Sequence, residues 1–163
     1  MRLFIAIQFS DDVRHALTDV QNRLRNNGVS GNYTKKENLH LTLAFIGDYP
    51  NPDFVLDVMD TVPFEPFPLT VSGFGTFHGI LWAGISENEA LKKYVKRLRR
   101  ALAENNIPFD RKKFSPHITL VRKPVWHHSL PDITMPEKQM LVERISLMRS
   151  DRGKNSMIYS ELS

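Results

Sequence analysis

Two short segments of the sequence contain the same pair of polar side chains. His40 and Thr42 lie in the segment HLTL, and His117 and Thr119 lie in the segment HITL. Residues two apart on a β-strand point to the same face, so each segment would place an imidazole beside a hydroxyl and turn its apolar residues to the opposite face. The second segment follows the first by 77 residues, close to half of the 163-residue chain. The repeat predicts two similar strands, one from each half.

The two motifs together are more informative than either motif alone. A single His-x-Thr triplet in a strand is more often a structural histidine than a catalytic one. Two such triplets with apolar neighbours are expected in roughly one of a thousand shuffled sequences of this composition. The repeat therefore favours one functional site built from both halves of the chain.

These residue types suit acid–base chemistry on a phosphate. An imidazole has an unperturbed pKa of about 6.5, so a neutral and a protonated histidine can act as general base and general acid near neutral pH. Threonine hydroxyls can donate hydrogen bonds to the non-bridging oxygens of a phosphorus centre. The chain has no cysteine, which excludes a thiol nucleophile and a thiolate zinc site. We predict phosphodiester chemistry that needs neither a metal nor a cofactor.

The hydrophobic pattern predicts an α+β fold with mostly antiparallel sheets, formed by residues 1–163 as one domain. The expected strands are 2–9, 39–46, 67–77, 80–85 and 115–121, with two more in the last forty residues joined by the turn DRGKN. Three helices are expected: one capped by Ser10 and ending near Gly28, a short one ending at Val62, and one opened by a capping box of Ser86 and Glu89. Simple alternation places Phe45 on the apolar face of its strand.

The amino-acid composition gives only weak information about function. The formal net charge is +4, which favours an anionic substrate without the strongly basic character of a dedicated DNA-binding protein. The basic runs at 92–100 and 109–114 are expected to be solvated faces. The segment MRLFIAIQFSDD has too short an apolar run for a signal sequence, so we expect a cytoplasmic protein.

The sequence resembles the two-histidine phosphoesterases, and within them the RNA 2′,3′-cyclic phosphodiesterases, also called 2′-5′ RNA ligases of the LigT type. The resemblance covers essentially the whole chain. It is found in RLFIAIQF and the helix that follows, in ENLHLTLAFIG, in LWAGI, in FSPHITLVR and in the terminal hairpin that contains Tyr159. It implies a bilobal, pseudo-twofold fold in which two antiparallel sheets line a central cleft and the helices lie outside.

The same resemblance implies roles for the motif residues. His40 would be the proton donor to the leaving oxygen, His117 the proton acceptor from the attacking water, and Thr42 and Thr119 the phosphate ligands. The implied substrate is RNA ending in a 2′,3′-cyclic phosphate, opened to a 2′-phosphomonoester. With a ribose hydroxyl in place of water, chemistry of the same kind would make or break a 2′-5′ linkage, and we expect hydrolysis to be the main activity.

Arg122 matches an arginine often found just after the second motif in this family, where it could bind substrate phosphate. Simple alternation turns this side chain away from His117, so a bulge or a strand end is required if it is to reach the cleft. A solvent-exposed arginine is the competing interpretation. Phe45 and Tyr33 are possible base-stacking residues, although an aromatic residue in an apolar strand is more often part of the core.

Two other functions stay open on the sequence alone. One is a phosphodiesterase that acts on a small nucleotide, such as a 2′-5′ oligonucleotide or a cyclic phosphate. The other is a non-catalytic module that binds RNA ends. The loops 26–37 and 122–138 would distinguish the substrates. The four remaining histidines are expected to lie on the surface, without the spacing of a zinc site; they are His15, His78, His127 and His128.

Overall fold

The computed structural model describes residues 1–77 and 79–162, so His78 lies outside the described residues. In chain order the elements are β1 (Arg2–Gln8), α1 (Asp11–Asn26), β2 (Ser30–Tyr33), β3 (His40–Asp48), α2 (Pro52–Asp60), β4 (Phe67–Phe77), β5 (Ile80–Ile85), α3 (Glu89–Glu104), β6 (His117–Val125), β7 (Lys138–Val142), β8 (Ser146–Arg152) and β9 (Met157–Glu161). A 3₁₀ turn, Lys36–Asn38, precedes β3. Within the described part of the chain, no helix is long and apolar enough to cross a membrane.

The strands form two antiparallel sheets that repeat one order. The first sheet has the order β3-β1-β8-β9, and the second has the order β2-β6-β5-β4-β7. In each sheet the strand that begins with a motif histidine lies beside the strand that precedes a long helix. β3, β1, β8 and β9 therefore correspond to β6, β5, β4 and β7, and β2 is the extra strand. The predicted α+β, pseudo-twofold architecture is confirmed.

The main core lies on the helix side of both sheets. The apolar stripes of α1 and α3 are buried there, as the sequence predicts: Val13, Leu17, Val20, Leu24, Leu91, Val95, Leu98 and Leu102. A smaller cluster lies on the opposite face of the first sheet, where Phe4, Ala6 and Met148 are buried beside Phe45 and Tyr159. The cleft face of this sheet is therefore partly aromatic.

Helix ends follow side-chain capping, with one difference from the sequence prediction. Ser10 caps α1 by accepting a hydrogen bond from the backbone of Val13, as predicted. The capping box of Ser86 and Glu89 is wrong, because Asn88 caps α3 and accepts from Leu91 N at 3.0 Å. The Ser86 hydroxyl instead bonds to the hydroxyl of Ser72 on β4.

Two strands were not predicted. β2 has the sequence SGNY and exposed side chains at three of its four positions, so it has almost no hydrophobic pattern. The last forty residues contain three strands rather than two, because β7 pairs with the edge of β4. Both strands exist because a neighbouring strand supplies backbone partners.

Gly31 allows β2 to approach the second motif strand. Its φ is +146°, and a Cβ built there would lie 2.8 Å from Val121 Cγ1 and 3.0 Å from the carbonyl oxygens of Arg122 and Lys123. Two of these contacts are backbone atoms, which a rotamer change cannot move. Only glycine fits this position without displacing one strand.

We predict that Gly31→Ala destabilises the protein by roughly 2 kcal/mol or more, because it adds a backbone clash to backbone strain. Gly28→Ala is the matched control. Gly28 has φ +85° with open space around its Cβ position, so its substitution should cost only about 1 kcal/mol of strain. Urea unfolding monitored by circular dichroism compares the two, and equal costs would contradict the close approach of β2.

Candidate active site

The first motif strand does not alternate regularly. His40 and Thr42 lie on one face of β3, but Leu43 and Ala44 are both buried, and Phe45 returns to the face of the histidine. The β1–β3 ladder shifts register twice in this region. The placement of Phe45 on the apolar face is therefore wrong, since the irregularity adds one residue to the core side.

The second motif strand has the same irregularity. Leu120 and Val121 are consecutive buried residues, and the β5–β6 ladder shifts register between Leu81 and Trp82. Arg122, the next residue, lines the same cavity as His40. The bulge that Arg122 needs to reach the cleft is present. Arg122 and Phe45 occupy equivalent positions, each five residues after its motif histidine.

A helix side chain binds the backbone carbonyl at each irregularity. Arg99 of α3 donates to the Leu43 oxygen through Nε and Nη2, at 3.1 and 3.0 Å. Gln21 of α1 is buried and donates from Nε2 to the Leu120 oxygen at 3.0 Å. Leu43 and Leu120 are each three residues after a motif histidine. These hydrogen bonds satisfy the carbonyls at the points where two consecutive side chains are buried and the alternation of the strand between its two faces changes phase.

His40 is oriented by a carbonyl two residues before it. Its Nδ1 lies 2.7 Å from the Asn38 oxygen and its Nε2 lies 2.9 Å from the Thr42 hydroxyl. A carbonyl only accepts hydrogen bonds, so Nδ1 is assigned as the protonated nitrogen of the neutral ring, and Nε2 exchanges a proton. Asn38 is itself held by its side chain, which donates to the Met157 carbonyl at 2.9 Å.

His117 has the same arrangement. Its Nδ1 lies 2.8 Å from the Ser115 oxygen, again two residues before the histidine. Nε2 is therefore the nitrogen available to a reacting group. Phe77 lies edge-on to the imidazole, with ring centroids 5.2 Å apart. Thr119 is partly buried and lies opposite Trp82 in the ladder.

Aromatic rings limit the movement of His40. Phe4 lies 4.9 Å from the imidazole, and Tyr159 packs edge-on against it with centroids 5.4 Å apart. Phe4 and Tyr159 also contact each other. Because β1 and β9 supply these rings, both ends of the described chain contribute to the position of one histidine.

A cavity of about 510 Å³ opens beside His40. It is lined by Arg2, Phe4, His40, Thr42, Phe45, Arg122, Ser150, Arg152, Met157 and Tyr159. Three arginines line it and, among the residues that the structure describes, no carboxylate does, so it suits an anionic ligand with an apolar or aromatic part. Simple alternation did not identify Arg2 and Arg152, because each is an ordinary polar residue near a strand end.

Burial lowers the pKa of His40 below its usual value. The bond from Nδ1 to the Asn38 carbonyl acts in the opposite direction, and the positive charges of Arg122 and His117 lower this pKa further. The effect of His117 requires the two histidines to be close in space. In the free protein, His40 is therefore held toward its neutral form.

The remaining candidates lie elsewhere. His15, His127 and His128 are exposed. Tyr33 donates its hydroxyl hydrogen bond to the Val29 carbonyl and is covered by the Arg25 guanidinium, 4.1 Å from its ring centroid. Among the described residues, no group of three histidine, aspartate or glutamate side chains is arranged to bind a metal ion.

The fold agrees with comparisons to known proteins. A model of the 2′-5′ RNA ligase superfamily matches residues 9–154, and the chain belongs to this superfamily. A Thermotoga maritima protein named RNA 2′,3′-cyclic phosphodiesterase is 28% identical over 176 residues, covering 99% of this chain and 93% of that protein.

Solved structures give the same architecture. A crystal structure of a Thermus thermophilus protein is 29% identical, has a TM-score of 0.83, and covers 100% of this chain and 96% of that one. The apo form of LigT from E. coli is 23% identical, has a TM-score of 0.86, and covers 99% of this chain and 94% of its own. The latter similarity concerns the fold.

The charge of Arg122 can be tested directly at His40. We predict that the pKa of His40, followed by NMR of the imidazole nitrogens, lies below about 6.5 in the native protein and rises in Arg122→Gln. Arg149→Gln is the matched control, because Arg149 pairs with Asp151 on the helix-side face of β8. An unchanged pKa in Arg122→Gln would contradict the placement of Arg122 beside His40.

Proposed function

We propose that this protein is an RNA 2′,3′-cyclic phosphodiesterase. The observation on which this rests is the matched pair of imidazoles. Each donates from Nδ1 to a carbonyl two residues earlier and leaves Nε2 free of backbone bonds. The superfamily match and the name of the Thermotoga maritima relative support this substrate class.

In the proposed reaction, a water attacks the phosphorus of the cyclic phosphate. His117 Nε2 accepts a proton from this water as the new P–O bond forms. The bond from phosphorus to O3′ breaks, and His40 Nε2–H gives its proton to the departing O3′. The product is a 2′-phosphomonoester with a free 3′-hydroxyl. His117 has gained one proton and His40 has lost one.

Thr42, Thr119 and Arg122 stabilise the charge on the phosphate in this proposal. The two hydroxyls donate to non-bridging oxygens, and the Arg122 guanidinium supplies a charge-assisted contact. Thr42 already lies within hydrogen-bond distance of His40. Its hydroxyl can therefore reach both the donor imidazole and an oxygen bound to the same phosphorus.

Substrate binding would change the protonation of His40. The free protein disfavours the imidazolium form that a proton donor needs. A bound phosphodiester brings one negative charge between His40 and Arg122, which offsets the arginine charge and raises the pKa of His40. The donor is then charged mainly when substrate is present.

The same site could open the cyclic phosphate with a ribose 5′-hydroxyl in place of water, so that a P–O5′ bond forms, the P–O3′ bond breaks and the product is a 2′-5′ linkage. Hydrolysis remains the proposed main activity, because water is abundant and ligation requires a second RNA end to be bound. Residues 1–163 are proposed to act as one domain. Independence from cofactors and a cytoplasmic location stay predictions from the sequence.

The first test is turnover of a short RNA ending in a 2′,3′-cyclic phosphate, in EDTA. We expect conversion to a 2′-phosphate that falls by at least about 10²-fold in His40→Ala and in His117→Ala, because each removes a general acid or base. His15→Ala is the control, since His15 is exposed on α1. Binding of this RNA without conversion by the native chain would favour a non-catalytic module.

The pH dependence assigns the two roles. If His40 is the donor, kcat/KM falls as pH rises through the lowered pKa of His40. The alkaline limb of the kcat/KM profile then lies below about pH 6.5, because kcat/KM reports the free enzyme. The alkaline limb of the kcat profile lies at higher pH, because bound substrate raises the pKa of His40. Arg122→Gln should raise that pKa and move the alkaline limb of kcat/KM to higher pH. Movement of the acid limb instead would show that His40 is the base and His117 the donor.

A further inference from the structure

The three arginines of the cavity occupy two different positions. Arg122 is close enough to His40 for its charge to lower the histidine pKa. Arg2 lies further from His40 along β1. Phe4 contacts His40, and Arg2 is two residues before Phe4, which separates these two residues by about 6–7 Å along the strand. Arg2 is opposite Ser150 in the β1–β8 ladder, and Arg152 is the next residue of β8 on that face.

Arg2 and Arg152 have no carboxylate partner among residues 1–77 and 79–162. Neighbouring arginines differ in this respect, since Arg149 pairs with Asp151 at 2.9 Å and Arg144 pairs with Glu161 at 2.9 Å. Arg2 and Arg152 both line the cavity. Their charge is therefore available to an anion that enters it.

Phe45 orients one of these arginines. The Arg2 guanidinium carbon lies 5.0 Å from the centroid of the Phe45 ring, within the range of a cation–π contact. The contact keeps the guanidinium at the cavity edge, and no side chain or carbonyl in the described part of the chain accepts a hydrogen bond from it. Ser150, also in the cavity lining, adds a hydroxyl between Arg2 and Arg152.

We propose that Arg2 and Arg152 bind the phosphate on the 5′ side of the terminal nucleotide. This inference rests on the proposed function, because it takes the cyclic phosphate to lie at His40 and Arg122. The terminal nucleoside then lies along Phe4, Phe45 and Tyr159, and its 5′ phosphate reaches Arg2 and Arg152. The separation along β1 is on the scale of a single nucleoside.

The consequence is selection for polynucleotide ends. A free nucleoside 2′,3′-cyclic phosphate has no 5′ phosphate and therefore cannot contact Arg2 and Arg152. An RNA end supplies a phosphodiester at that position, whatever its base sequence, because phosphate contacts do not read bases. The site therefore favours an RNA end over a small cyclic nucleotide.

The test compares two substrates that differ by one group. They are adenosine 2′,3′-cyclic phosphate and the same compound with a 5′-phosphate. We expect the native protein to have a kcat/KM at least about tenfold higher for the 5′-phosphorylated compound, as for a charge-assisted contact to phosphate. Arg2→Gln and Arg152→Gln should each reduce this ratio, and the double variant should bring it close to one.

Arg149→Gln is the matched control, because it removes an arginine of the same sheet that faces away from the cavity and is paired with Asp151. It should keep the native ratio. The salt dependence of kcat/KM for the 5′-phosphorylated substrate should become shallower in Arg2→Gln and Arg152→Gln, as expected when a phosphate contact is lost. A native ratio near one, or an equal loss of ratio in Arg149→Gln, overturns the inference.

Calorimetric binding of the reaction products separates this inference from the proposed function. Adenosine 2′-phosphate and adenosine 2′,5′-bisphosphate differ in the same 5′ phosphate and require no turnover. If neither cyclic substrate reacts but the bisphosphate binds more tightly in an Arg2- and Arg152-dependent way, the proposed function fails and the phosphate site stands. If both cyclic compounds react but the bisphosphate has no advantage, the phosphate site fails alone.

Discussion

The arrangement of the site depends on a backbone irregularity that both motif strands share, three residues after the histidine. Leu43 and Leu120 mark the points where alternation changes phase, and each carbonyl there accepts a hydrogen bond from a helix side chain. Arg99 and Gln21, the two donors, are 78 residues apart and occupy equivalent positions on α3 and α1. Without the change of phase, Phe45 and Arg122 would point into the core rather than the cleft.

These bonds also join the two halves. α1 follows a strand of the first sheet, but Gln21 binds β6 of the second; α3 follows a strand of the second sheet, but Arg99 binds β3 of the first. A buried carbonyl left without a donor costs about 1–3 kcal/mol. The same contacts that set the phase of each strand therefore oppose separation of the lobes, and they keep the two histidines on facing surfaces.

The sequence was most informative where a pattern is local. Residues two apart on a strand and three or four apart on a helix identified His40, His117 and the buried stripes of both long helices. The irregularities could not be predicted in this way, since the donors Gln21 and Arg99 are far in sequence from the carbonyls they bind. Arg2 and Arg152 were missed for a similar reason, because the cavity they share is formed by strands from opposite ends of the chain. Asn88 was missed as a cap because Ser86 offered an equally plausible local pattern.

The order in which the strands leave the ribosome is different for the two sheets. The strands β4 to β7 of the second sheet are consecutive in sequence. In the first sheet, β1 and β3 are synthesised early, but the sheet cannot be completed until β8 and β9 have been synthesised. A nascent chain that ends before residue 146 contains both histidine motifs but lacks Ser150, Arg152, Met157 and Tyr159 of the cavity. Incomplete chains would therefore lack the complete cavity beside His40, and β1 would expose an unpaired edge until synthesis reaches β8.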